Sequence, residues 1–158
     1  MKLIFALSVL LSVSVPTAVQ AQHEPIIAKG DCDPTSSVTI DEGEPNLFDC
    51  DVAVVTRSER GSVLIQFSDL AGDDGRILGF AGTIEGKQGF GAELTQMMAV
   101  ERVYLAGGAD PITVSRGSCI MNWSGLHRTG GTLNSVVCGG RGEIEGHDVQ
   151  ALVVLDTR

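Results

Sequence analysis

Cys119-Ile120-Met121-Asn122-Trp123-Ser124-Gly125 and Thr132-Leu133-Asn134-Ser135-Val136-Val137-Cys138 flank the loop Leu126-His127-Arg128-Thr129-Gly130-Gly131 almost as mirror images. Apolar and polar side chains alternate in both arms, the period of a strand with one face inward. An antiparallel hairpin turning on the glycine-flanked loop sets Cys119 opposite Cys138, where two sulfurs can bond. The same register pairs Met121 with Val136 and Trp123 with Asn134 on one face, and Ile120 with Val137 on the other. That leaves Cys32 to join Cys50 across the acidic turn Asp41-Glu42-Gly43-Glu44-Pro45. No Cys-x-x-Cys is present and no His stands at ligand spacing, so the four thiols do not read as a zinc site.

The same period runs outward from the hairpin. Phe48, Cys50, Val52 and Val54 alternate with polar or small residues. So do Val63, Ile65 and Phe67, and after Gly72-Asp73-Asp74-Gly75 come Leu78, Phe80, Gly82 and Ile84. With hairpin turns at 57–61 and 70–76, these three runs form a meander whose layers are Val52 with Phe67 and Leu78, then Val54 with Ile65 and Phe80. Gly86 to Gly91 reads as a glycine-rich loop. Leu94, Met97, Met98 and Glu101 have helical spacing, so a short helix is expected near 92–99, running into a strand over 100–105. Strands at Ile112 to Val114 and Val149 to Leu155 complete the set, and the last is apolar on both faces, as for a strand that is central or closes a barrel. The expected fold is all-β: a single-domain antiparallel sandwich or flattened barrel of about eight strands, with two disulfides.

Met1-Lys2, the apolar run Leu3 to Val15, Pro16 and the small residues Val19 and Ala21 have the layout of a signal peptide cleaved after Ala21. The chain then divides into a leader 1–21, an N-terminal arm 22–30 and a disulfide-stabilised β domain 31–158. The alternative is an uncleaved anchor, since Leu3 to Ala21 is nearly long enough to span a bilayer, against which stand the short apolar core and the cleavage-like end. Nothing after it reads as a membrane span. Four cysteines in an exported chain favour disulfides and an extracytoplasmic address, periplasmic or extracellular. Of 158 residues, 20 are acidic and 11 are Lys or Arg, a net charge of −9, and loss of Lys2 with the leader makes it one unit more negative. Such a chain repels phosphate backbones, so nucleic acid is excluded as a partner. With 43% hydrophobic residues it is too apolar to be disordered.

No catalytic motif is present: no Gly-x-Ser-x-Gly, no His-Glu-x-x-His and no phosphate-binding loop. Gly86-Lys87-Gln88-Gly89-Phe90-Gly91 lacks the spacing and the following helix of a nucleotide site. The acidic runs Asp31, Asp33, Asp41, Glu42, Glu44 and Asp73, Asp74 match no calcium loop and read as solvated turns. His23 and His147 read as loop residues. His127 and Arg128, at the tip of the disulfide-anchored hairpin, are the candidate binding residues, with Trp123 and Tyr104 as the large amphipathic rings available beside them. The expectation is a non-catalytic binding or interaction module with no cofactor and no metal, taking a protein or small-molecule ligand. The alternatives are a small extracytoplasmic hydrolase built on His127 and a purely structural envelope or secreted protein.

Overall fold

Alternating burial organises the chain into ten strands: β1 (Ile26–Cys32), β2 (Ser37–Ile40), β3 (Asn46–Leu47), β4 (Val52–Arg57), β5 (Ser62–Ser68), β6 (Ile77–Phe90), β7 (Glu93–Leu105), β8 (Ile112–Ser124), β9 (Thr132–Ile144) and β10 (His147–Thr157). The computed structural model describes residues 24–70, 75–105, 110–125 and 131–157, none of them helical. The leader 1–21 and the loop residues His127, Arg128, Asp73 and Asp74 lie outside the described residues.

All pairings are antiparallel, in the order β1-β4-β5-β6-β7-β8-β9-β10-β2-β3, with β1 also meeting β10. The ring therefore passes through eight strands, and β2 and β3 extend from it. It is not a regular barrel, because β10 divides one edge between two partners. Gln150 to Leu152 face Thr39 to Ser37, whereas Leu155 to Thr157 face Cys32 to Gly30. In β10, Val149, Ala151, Val153 and Leu155 point inward, while Leu152 on the outer face is exposed. Inside the ring the core is aliphatic, with Phe67 and Phe80 edge to face at 6.0 Å between ring centres.

Both disulfides form as the sequence indicates, Cys119 to Cys138 across β8 and β9 and Cys32 to Cys50 beside the β1–β4 pairing. The hairpin register holds from Cys119–Cys138 through Ile120–Val137 and Met121–Val136, then shifts: Trp123 pairs with Leu133 rather than Asn134. A bulge at Asn134 allows Trp123 and Leu133, each 1% exposed, to point inward together.

Four other expectations are corrected. The segment 92–99 is not helical but the first half of β7, with Leu94, Gln96, Met98 and Val100 alternating inward. A buried glutamine at an inward position hides the period of two, and the exposed Met97 beside Met98 imitates helical spacing. In the meander, Ala53 lines up with Phe67 and Leu78, and Val55 with Ile65 and Phe80, so the β4 partners are one residue beyond Val52 and Val54. Val52 and Ala53 are both buried, marking a change of phase at the start of β4. The turn agrees with the shift. Gly61 N–H donates to Ser58 O, Ser58 N–H donates to Ser62 O, and Gly61 has φ +86°, a three-residue hairpin loop closed by a glycine bulge. Gly86 to Phe90 continue β6, and the reversal is confined to Gly91-Ala92, with Gly91 at φ +64°. Finally, Ile26 to Gly30, read as part of a loose arm, belong to β1 and are paired with β4 and β10.

The Cys119–Cys138 bond closes a loop of 19 residues. Replacing both cysteines by alanine is expected to cost about 3 kcal/mol and lower the melting midpoint by roughly 10 °C in a calorimetric scan. An unchanged midpoint would mean that the bond does not hold this hairpin.

Candidate functional site

The structure does not bring Trp123 and Tyr104 together. Trp123 points into the ring beside Leu94 of β7, and Tyr104 lies ten residues further along that strand, on the order of 30 Å away by strand rise. Tyr104 is half-buried and lies across Gly79, where a methyl group would sit 3.6 Å from its Cδ2. The tyrosine is thus a packing residue of the β6–β7 ladder.

What surrounds Trp123 is more informative. Arg57 continues the inward series of β4 after Ala53 and Val55, and its guanidinium carbon stands 5.2 Å from the centre of the indole. Arg57 Nη2 donates to Gln96 Oε1 at 2.8 Å. Arg57 Nε and Trp123 Nε1 are buried and, among the described residues, have no hydrogen-bond partner. Burial lowers the Arg57 pKa from its ordinary value, and among the described residues no carboxylate pairs with it. One end of the ring therefore holds a cation over an indole, with donors and no anion.

A second feature lies outside, on the face of β8, β9, β10 and β2. Gly117 pairs with Gly140 and Gly140 with Ala151, so the inward row here has almost no side chains. A methyl on Gly117 would meet Gly139 O at 2.8 Å, and one on Gly140 would meet Val103 Cγ2 at 3.0 Å. Val103 and Val114 pack directly against this glycine backbone, and on the outer face of the same strands lies a groove of about 600 Å³, lined by Ser37, Thr39, Arg116, Ser118, Arg141, Gln150 and Leu152 among others. Arg116 and Arg141 sit directly opposite each other in the ladder. Arg141 Nε donates to Asp148 Oδ1 at 2.8 Å, a bond that raises the arginine pKa and lowers that of Asp148. Arg116 has no such partner among the described residues. Beside the groove, Met97, Ile120 and Val137 form an exposed apolar row in direct register across three strands. A smaller cavity of about 210 Å³, lined by Val38, Leu47, Phe48, Ile77, Leu78 and Leu105 together with Asn46 and Arg76, opens beside β3.

Comparison with protein-family models, curated proteins and solved structures finds no match.

His147, read as a loop residue, instead opens β10 and bonds to Asp41, its Nδ1 donating to Oδ2 at 2.9 Å. Asp41, at φ +54°, also accepts the Asp148 N–H at 3.0 Å, clasping the end of β2 to the start of β10. Asp33 is likewise occupied locally, accepting from the Thr35 hydroxyl and N–H. Among the described residues no three His, Cys, Asp or Glu side chains meet in a way that could hold a metal ion.

The Asp41 bond raises the His147 pKa above its ordinary 6.5, and the same bond lowers that of Asp41 below 3.8. The His147 contribution to stability is full below 6.5 and is lost as pH rises through its raised folded value. The Asp41 contribution is present above 3.8 and is lost as pH falls through its lowered folded value. The clasp is thus strongest between those limits. An NMR titration is expected to place the His147 midpoint above 6.5 in the parent chain and back near 6.5 in Asp41→Asn. Asparagine tolerates the backbone conformation at this position. Equal midpoints in the two proteins would show that the clasp does not form.

Proposed function

We propose that the chain is an exported, non-catalytic binding module, periplasmic or extracellular, that takes an acidic peptide segment in the outer groove across β8, β9, β10 and β2. The observation that carries this reading is the Arg116–Arg141 pair. Like charges directly opposite in a ladder oppose folding. Asp148 partly offsets Arg141, but among the described residues no carboxylate meets Arg116, a cation facing the groove. A carboxylate-bearing ligand offsets that repulsion, and Arg presents it a planar fork of donors.

The groove crosses four strands, a width of about 14 Å, which suits an extended segment rather than a single ion. Among the described residues no aromatic side chain lines it, so these offer a sugar no stacking platform. The adjoining row of Met97, Ile120 and Val137 suits aliphatic side chains of a peptide. Two disulfides and the leader-like N-terminus support the extracytoplasmic address.

The test is fluorescence anisotropy with a labelled peptide of glutamate and valine, compared with its lysine and valine counterpart. Only the acidic peptide is expected to bind, more weakly as salt is raised, and Arg116→Glu is expected to abolish binding. Arg116→Gln should weaken binding without lowering the melting midpoint, because it removes a repulsion. Equal binding of both peptides, or unchanged binding by Arg116→Glu, would overturn the reading.

A further inference from the structure

We propose that the Arg57–Gln96–Trp123 end of the ring is a second, independent site, which binds the carboxylate of a small organic acid. Native interiors leave few donors without an acceptor, and here two lie in adjoining side chains, Arg57 Nε and Trp123 Nε1. Trp123 is 1% exposed and Gln96 2%, so bulk water does not bathe them. Gln96 has its oxygen engaged by Arg57 Nη2. What the cluster lacks is therefore an acceptor that also carries negative charge, and a carboxylate supplies both.

The surroundings narrow the class. Trp123 is flanked in the ladders by Leu94 and Leu133, and the indole face already stacks against the guanidinium. An acid with an apolar or aromatic body gains contact with these side chains, whereas a mineral anion does not. Arg57 is itself only half-buried and adjoins the exposed turn Ser58–Gly61, so its guanidinium is the part of the cluster nearest solvent. The site lies inside the ring, and the arginines of the groove lie on its outer surface, so neither proposal depends on the other.

Trp123 is the only tryptophan in the chain, and its emission reports the site directly. The disulfide-bonded chain is titrated with benzoate, with its neutral counterpart benzamide and with sodium sulfate at matched ionic strength. A saturable change with benzoate alone is expected. Arg57→Gln should weaken it by about tenfold or more, Arg57→Lys should weaken it less, and Arg116→Gln should leave it unchanged. No saturable response to benzoate, an equal response to benzamide, or an undiminished response in folded Arg57→Gln would overturn the proposal. A response equalled by sulfate would make the site a general anion site and overturn the assignment to organic acids. The benzoate and benzamide comparison uses the parent chain, so the outcome is decided even if Arg57→Gln does not fold.

Discussion

The pairing of Cys119 with Cys138 fixes the register of β8 on β9, and much of the molecule follows from that one alignment. With the two sulfurs opposite each other, Met121 and Val136 must share the inner face and Ile120 and Val137 the outer one. Two residues before Cys119 on β8, and two after Cys138 on β9, the same alternation sets Gly117 against Gly140 on the inside. There Val103 and Val114 pack against bare backbone on the inside, and the groove lies on the outside. One residue further out along each strand, the register places Arg116 against Arg141. A slip of one residue would reverse every one of these faces. The covalent link thus holds the core, the groove and the charge arrangement in a single phase.

Much of this was legible in the chain itself. The alternation around the cysteines, the glycine turns and the apolar last strand indicated an antiparallel all-β sandwich or flattened barrel with the correct disulfides. The reading failed where a polar residue occupies an inward position or an extra residue enters a strand. Gln96 broke the apparent period of β7, the phase change at Val52–Ala53 moved one layer of the meander, and the bulge at Asn134 displaced the partner of Trp123. Each is settled by contacts between segments far apart in sequence. The candidate sites were less visible. Trp123 was singled out, but its partners Arg57 and Gln96 come from β4 and β7, and no local pattern links the three. Arg116 and Arg141 could have been found by extending the hairpin register beyond the cysteines, which sets them opposite each other.

Cations carry unusual weight in so acidic a molecule. Most carboxylates lie at turns and strand surfaces, where water solvates them and their mutual repulsion discourages edge-to-edge association. Against that background Arg57 and Arg116 are both placed where, among the described residues, no carboxylate meets them, one over an indole within the ring and the other in a groove. The two environments differ in kind. Inside, low polarity strengthens any charge contact and limits which molecules can enter; outside, water and salt weaken it, and selectivity has to come from length and from the apolar row alongside.

The meeting of β1 with β10 has a consequence for how the protein folds. Residues 30–32 pair with residues 155–157, so the first and last strands of the fold complete each other. Neighbouring strands can form hairpins from local contacts, but the circle closes only when residues 155–157 reach residues 30–32, across the greatest sequence separation in the ring, so its closure carries the largest loop entropy of any pairing in the fold.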